Sequence, residues 1–397
     1  MTVKPGTTPR TVRIGLAPAA PPTAPLTDVS GGWVPETWLG APAPGGLALP
    51  SATPTRAWMY SPRGVFFDDR HVVVADSGNH RVLIWHGQPD RDGQLADVVL
   101  GQPDEATEGH AAGGRGPENG MHLPTGVLIH DGTLIVADAW HHRILVWHRV
   151  PETDWCPPDL VLGQPDATAV EPNAGGDCSA ATMYWPFGVA VIGSVFWVAD
   201  TGNRRVLGWR GGLPDPGRPA DIVLGQADAE SREENRGEAI GPASFRWPHA
   251  LTGHDELLLV ADAGDHRVLG WSPLPAADAP ARHLLGQPDF GTAAEWPYGP
   301  QRGDRFRFPY GVSMDHAGRL AVADTANNRV LLWDGDMLDG RAADHVLGQA
   351  SFEANGENRW SAVTPDSMCW PYGLWLHGDR LAVADSGNNR VIIWRRT

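Results

Sequence analysis

Three cysteines in 397 residues are too few for a disulfide framework, and Cys156 and Cys178 flank a strand-like run that holds them apart beyond disulfide reach. Basic charge is also short: 31 Lys and Arg face 47 Asp and Glu, a net charge of −16 with no concentrated basic face, which argues against binding to a phosphate backbone. No apolar run reaches the roughly 18–20 residues of a membrane helix. The amino-terminal stretch lacks the continuous apolar segment of a secretory signal, so a reducing, cytoplasmic setting is expected. Nucleotide and hydrolase fingerprints are absent: the sequence holds no P-loop, no dinucleotide motif and no Gly-x-Ser-x-Gly. What is abundant is turn chemistry, with 48 Gly and 36 Pro making about a fifth of the chain. Hydrophobic residues at 42% are ample for a large core.

One phrase occurs six times: VADSGNHRVLIW, VADAWHHRILVW, VADTGNRRVLGW, VADAGDHRVLGW, VADTANNRVLLW and VADSGNNRVIIW. Its Asp falls at Asp76, Asp138, Asp200, Asp262, Asp324 and Asp385, spaced by 62 residues four times and then by 61. Pro-x-Gly-Val or a near variant precedes each copy, at Pro62, Pro124, Pro186, Pro248, Pro309 and Pro371. VLGQPD or a variant follows the first five, and a degenerate version of that segment lies at the other end of the chain, around Gly40 within Glu36 to Pro42. Each unit reads as four short β-strands, a to d, separated by turn residues. Units of this kind bury their faces only by stacking, and radial stacking of six gives an all-β, six-bladed β-propeller. The amino-terminal strand, 35–42, is expected to complete the last blade and abolish an open edge. The expected organisation is a Pro/Ala-rich extension over residues 1–34 and a single propeller over 35–397.

The phrase Asp-x-x-Asn-His-Arg-Val, complete at Asp76, Asn79, His80, Arg81 and Val82, resembles the NHL repeat. That resemblance spans all six units and implies architecture rather than one activity, since NHL-type propellers include protein scaffolds, RNA binders and lyases. The unit departs from the family pattern by its length: 19 residues lie between each of the first LGQPD phrases and the next Pro-x-Gly.

Six copies form an internal alignment. Residues present in every blade, namely the six Asp, the Arg five residues later and the Trp closing each phrase, are expected to serve packing. Function is expected where the pattern breaks. If strand b returns antiparallel to a, and d to c, then the b-to-c turns and the long d-to-a loops share one face. The residue after each Pro should ring its central opening: Arg63, Thr125, Phe187, His249, Tyr310 and Tyr372. Trp140 stands where the other blades have Gly or Ala. These seven residues are the candidate binding set, because rigid aromatics with polar handles favour interface centres.

His110, His122, His141 and His142 gather around blade two. His141 and His142 occupy repeated turn positions, so a turn role is preferred and neither a metal nor another cofactor is expected. Cys369, near the opening, is expected to be inert for want of a basic partner. The leading expectation is a non-catalytic binding or scaffolding propeller facing a protein partner, such as an accessory subunit of a larger enzyme complex. The alternative, which the resemblance implies, is a metal-dependent lyase or lactonase-like enzyme holding a small molecule at the central opening, with His249, Arg63 and Tyr310 as first suspects. Nucleic acid and membrane partners are not expected.

Overall fold

The computed structural model describes residues 29–41, 53–254, 256–296, 299–335 and 340–397. Most of the amino-terminal extension, residue 42 of the expected closing segment and Tyr298 in a long loop lie outside them. The described residues form six antiparallel sheets of four strands each. In the first blade strand a is Gly64–Phe67, b is His71–Asp76, c is Arg81–His86 and d is Val98–Leu100. Strand b is valine-rich, and Val72, Val73 and Val74 are all fully buried. A blade in a ring is covered on both faces, so its middle strands read as continuous apolar runs rather than alternating ones.

The last blade is completed from the other end of the chain. Its outer strand, Trp33–Gly40, pairs antiparallel with Arg390–Arg396, from Trp33 opposite Arg396 to Gly40 opposite Arg390. The strand starts two residues earlier than the sequence suggests. Pro35, which has no N–H to donate, sits at the one irregularity in that ladder. Trp33 and Leu39 bury their side chains, so the clasp adds core as well as hydrogen bonds.

Apolar clusters straddle neighbouring blades. One unites Val65, Val74 and Trp85 of blade one with Ala384 and Ile393 of blade six, which seals the ring across its junction. Innermost strands approach so closely that a Cβ at Gly64 would fall 1.8 Å from the Thr125 carbonyl oxygen, and one at Gly373 would fall 2.4 Å from that of Arg63. This contact is why Pro-x-Gly-Val carries glycine.

The six Asp–Arg pairs are buried and alike. In blade one Arg81 Nε donates to Asp76 Oδ2 at 2.7 Å, and its remaining nitrogens donate to the carbonyls of Thr55, Trp58 and Glu105. The other Asp76 oxygen accepts the Tyr60 N–H at 2.7 Å, and Asn79 Nδ2 donates to Oδ2 at 2.9 Å. In blades one to five each guanidinium therefore pins two long loops to the blade, whereas Arg390 of blade six bonds only the loop that carries Thr364 and Ser367. The glutamine of LGQPD adds a strut, since Gln102 Nε2 donates to the carbonyls of Asn79 and Gly109. The repeated tryptophans are buried in the blade interfaces, as at Trp85, Trp209 and Trp333. All three cysteines are free thiols.

Candidate functional site

Each b-to-c turn is one turn of 3-10 helix that ends on a left-handed residue: His80, His142, Arg204, His266, Asn328 or Asn389. Five of these six side chains reach the next blade. His80 Nδ1 accepts the Leu123 N–H at 3.1 Å, His142 Nδ1 that of Trp185 at 3.2 Å and His266 Nδ1 that of Phe308 at 3.1 Å. Asn328 and Asn389 do the same with Oδ1, for Trp370 and Ser61. An acceptor imidazole must be neutral at Nδ1. Burial holds His80, His142 and His266 down to about 4, so they stay neutral.

The residues that donate these bonds precede proline, and Ser61, Leu123, Trp185, Phe308 and Trp370 all have φ near +50°. That conformation is costly for a bulky side chain and persists only where the surroundings enforce it. Blade three supplies the control. Arg204 has no acceptor to offer, the Trp247 N–H turns to Asp262 Oδ1 at 3.0 Å instead, and Trp247 is not among the positive-φ residues. The inter-blade acceptor thus goes with the strained backbone that aims an arc of large side chains at the loop-rich face.

Inside that arc lies a closed ring around the axial opening. The Arg63 guanidinium sits 5.1 Å from the Tyr372 ring centroid, and Tyr372 stacks on Tyr310 at 4.4 Å and 3°. Tyr310 meets His249 at 4.5 Å, and His249 stacks on Phe187 at 4.3 Å. Phe187 meets Trp140 edge-on at 5.9 Å, and Trp140 lies 5.9 Å from Arg63, closing the circuit. The structure therefore brings six of the seven predicted residues together. Thr125 also lines the axial opening, but it is buried and its hydroxyl donates to the Phe187 carbonyl at 2.9 Å, so Trp140 takes its place in the ring. Over the ring is a cavity of about 360 Å³, whose lining includes Trp185, Arg204 and Trp247. Arg63 Nε and His249 Nδ1 are buried with no hydrogen-bond partner among the described residues. Around the same face Trp360, Tyr60 and Trp370 are 80%, 55% and 40% exposed.

Proton chemistry at the ring is muted. Burial, reinforced by the nearby Arg63 charge, drives His249 down to about 3, while burial and then Tyr372 push the Tyr310 hydroxyl above its ordinary value. Neither group changes charge near neutrality, where an acid–base pair works best. The Cys369 thiol is pushed up to about 12 by burial and then by Asp385 and Glu357, which makes it a poor nucleophile.

Beside the ring, three of the four histidines that the sequence gathers around blade two come together. His110, His122 and His141 each place one ring nitrogen within 4.8 Å of the others. The turn roles expected of His141 and His142 are present, because His141 Nδ1 lies 2.8 Å from Asp138 Oδ2 and His142 makes the inter-blade bond. The signal that sequence reasoning missed was the alignment itself: His122 lies two residues before its Pro, and each blade varies at that position.

These sheets and this axial site define a six-bladed β-propeller with one elaborated face. The family model for the NHL repeat matches residues 59–85, the first blade from its loop to Trp85. A variant of the phrase on which that match ends, VADSGNHRVLIW, recurs in each of the other five blades. The chain is similar to NHL repeat-containing protein 2 of Gallus gallus, 26% identical over 341 residues, and to that of Homo sapiens, 24% identical over 345. Each match covers 81% of this chain and 44% of the relative, so the chain spans less than half the length of either. Among solved structures it is similar to the WD40 β-propeller domain of Doa1, with a TM-score of 0.49, 11% identity, and coverage of 92% of this chain and 98% of that one. For streptogramin B lyase the TM-score is 0.44 at 10% identity, with 88% and 96% covered.

Proposed function

We propose that the chain is a non-catalytic binding or scaffolding propeller that presents its loop-rich face to a protein partner. The observation that carries this reading is the closed ring Arg63–Tyr372–Tyr310–His249–Phe187–Trp140, with two unpartnered polar atoms and three exposed aromatics around it. Rigid aromatic and arginine side chains around a cavity are what interface hot spots are made of. The net charge of −16 favours basic or polar partners over nucleic acid. Among the described residues no helix is long and apolar enough to cross a membrane. The free thiols accord with a reducing cytoplasm.

The rival reading, a lyase or lactonase acting on a small molecule at the opening, draws on the same Arg63, His249 and Tyr310. The displaced proton affinities of His249 and Tyr310 weigh against it. Affinity capture separates the two. Tyr372→Ala and Trp140→Ala should each weaken capture of the protein partner by about thirtyfold, as hot-spot losses do, while melting stays within a few degrees of the parent. Undiminished capture by both variants would contradict the assigned face.

A further inference from the structure

We propose that His110, His122 and His141 form a three-histidine site for a divalent transition metal of the zinc class, at the junction of blades one and two. This assignment stands apart from the partner-binding reading. It rests on three departures from the sixfold pattern that converge on one point.

The position of His110 is held by Pro172, Glu234, Glu295 and Glu357 after the next four blades, and that of His122 by Tyr60, Tyr184, Arg246, Arg307 and Cys369 elsewhere. In two of those places the fold already joins the pair, as ion bridges from Arg246 to Glu234 at 3.1 Å and from Arg307 to Glu295 at 2.6 Å. At blade two the same two positions carry imidazoles, stacked at 4.8 Å. Trp140 contributes to their placement. A Cβ at the equivalent Gly78 or Gly202 would fall 2.3 or 2.6 Å from the Tyr60 or Tyr184 ring. Blade two fills that space with an indole, and its smaller His122 lies against His110 and His141.

His141 stands where four blades have Asn79, Asn203, Asn327 and Asn388. Asp138 Oδ2, itself bonded to Arg143 Nε at 2.9 Å, holds His141 Nδ1 at 2.8 Å. The proton is thereby kept on Nδ1 and the Nε2 lone pair is free, which is the carboxylate–histidine arrangement that orients metal ligands. His80 is nearby, its ring 5.1 Å from that of His122, but its Nδ1 accepts the Leu123 N–H. Its proton must then sit on Nε2, so His80 is a donor beside the site and not a ligand. With metal–nitrogen distances of about 2.0–2.1 Å, tetrahedral ligand atoms lie roughly 3.4 Å apart. Closing from 4.8 Å needs only side-chain rotation by exposed His110 and half-buried His122 onto the fixed His141. Three neutral imidazoles without thiolate suit Zn²⁺, Co²⁺ or Cu²⁺, and leave a fourth position open on the loop-rich face. Bound metal would tie the His110 loop to blade two beside Trp140, 6.4 Å from His122.

The test is titration of the tag-free, chelator-stripped full chain with Co²⁺, read by the ligand-field absorption of the bound ion and by competition with Zn²⁺. One equivalent should bind. His141→Asn, which installs the residue of four sister blades, and His122→Ala, which adds no bulk beside Trp140, should melt without metal to within a few degrees of the parent, yet each should weaken Co²⁺ by more than about a hundredfold. His142→Asn, which installs the residue of blades five and six on the same turn, should bind as the parent does. Failure of the parent to bind one equivalent would overturn the site. Undiminished binding in either His141→Asn or His122→Ala, or equal loss in His142→Asn, would also overturn it.

Discussion

Two neighbouring regions at the b-to-c turn of each blade behave in opposite ways. Flanking the turn, the Asp and Arg are the same in six blades, fully buried and joined at 2.7–3.0 Å. A few residues away, around the Pro of strand a, every blade differs. The position two before Pro holds Tyr, His, Arg or Cys, and the position after it holds Arg, Thr, Phe, His or Tyr. Both regions belong to one hydrogen-bonded network, because each Asp accepts the N–H of a residue just before the Pro, as with Asp200 and Tyr184 at 2.7 Å. The contrast teaches that a uniform frame holds the backbone of the variable positions and leaves their side chains free to diverge.

The largest effect should come from breaking the frame. Asp200→Ala strands the buried Arg205 guanidinium and removes the acceptor for Tyr184 N–H and Asn203 Nδ2. A loss of about 3–5 kcal/mol in denaturant unfolding is expected, as for other buried pairs cut on one side. A loss below about 1 kcal/mol would mean that the repeated pair is not what secures the loops.

Blade four offers a smaller and opposite test. Asp265 takes the place of the usual Asn and cannot donate to Asp262 unless protonated. Burial, and then the Asp262 charge, raise it to about 7. The folded state therefore binds this proton more tightly than the unfolded chain does. The resulting stability is complete below the ordinary carboxyl range near pH 4 and is lost as pH rises through about 7. Asp265→Asn supplies a permanent donor. It should stabilise the protein by about 1–3 kcal/mol near pH 8 and by little near pH 4, measured as urea midpoints at the two values. Equal shifts at both would sever the link to this proton.

Much of this was legible in the chain. A 62-residue period, turn chemistry between β-branched runs and a displaced strand around Gly40 led to six closed blades, because each follows from local backbone preference and the need to cover sheet edges. Ring membership was legible too, since one position after each Pro faces the axis. What escaped was side-chain convergence. The exchange of Thr125 for Trp140 depends on a hydroxyl finding the Phe187 carbonyl, and the meeting of His110 with His122 depends on how a long loop folds back. No periodicity encodes either contact. The left-handed acceptors His80, His142 and His266 were visible as turn residues, but their reach into the next blade was not.

The most direct test of the central claim measures melting and partner capture side by side for one residue of each region, Asp200→Ala and Tyr372→Ala. The account predicts a double dissociation. Asp200→Ala should melt well below the parent, whereas Tyr372→Ala should keep its melting temperature to within a few degrees and lose capture about thirtyfold. If Tyr372→Ala melts as early as Asp200→Ala, or captures as well as the parent, the division between a uniform frame and a variable binding ring is contradicted.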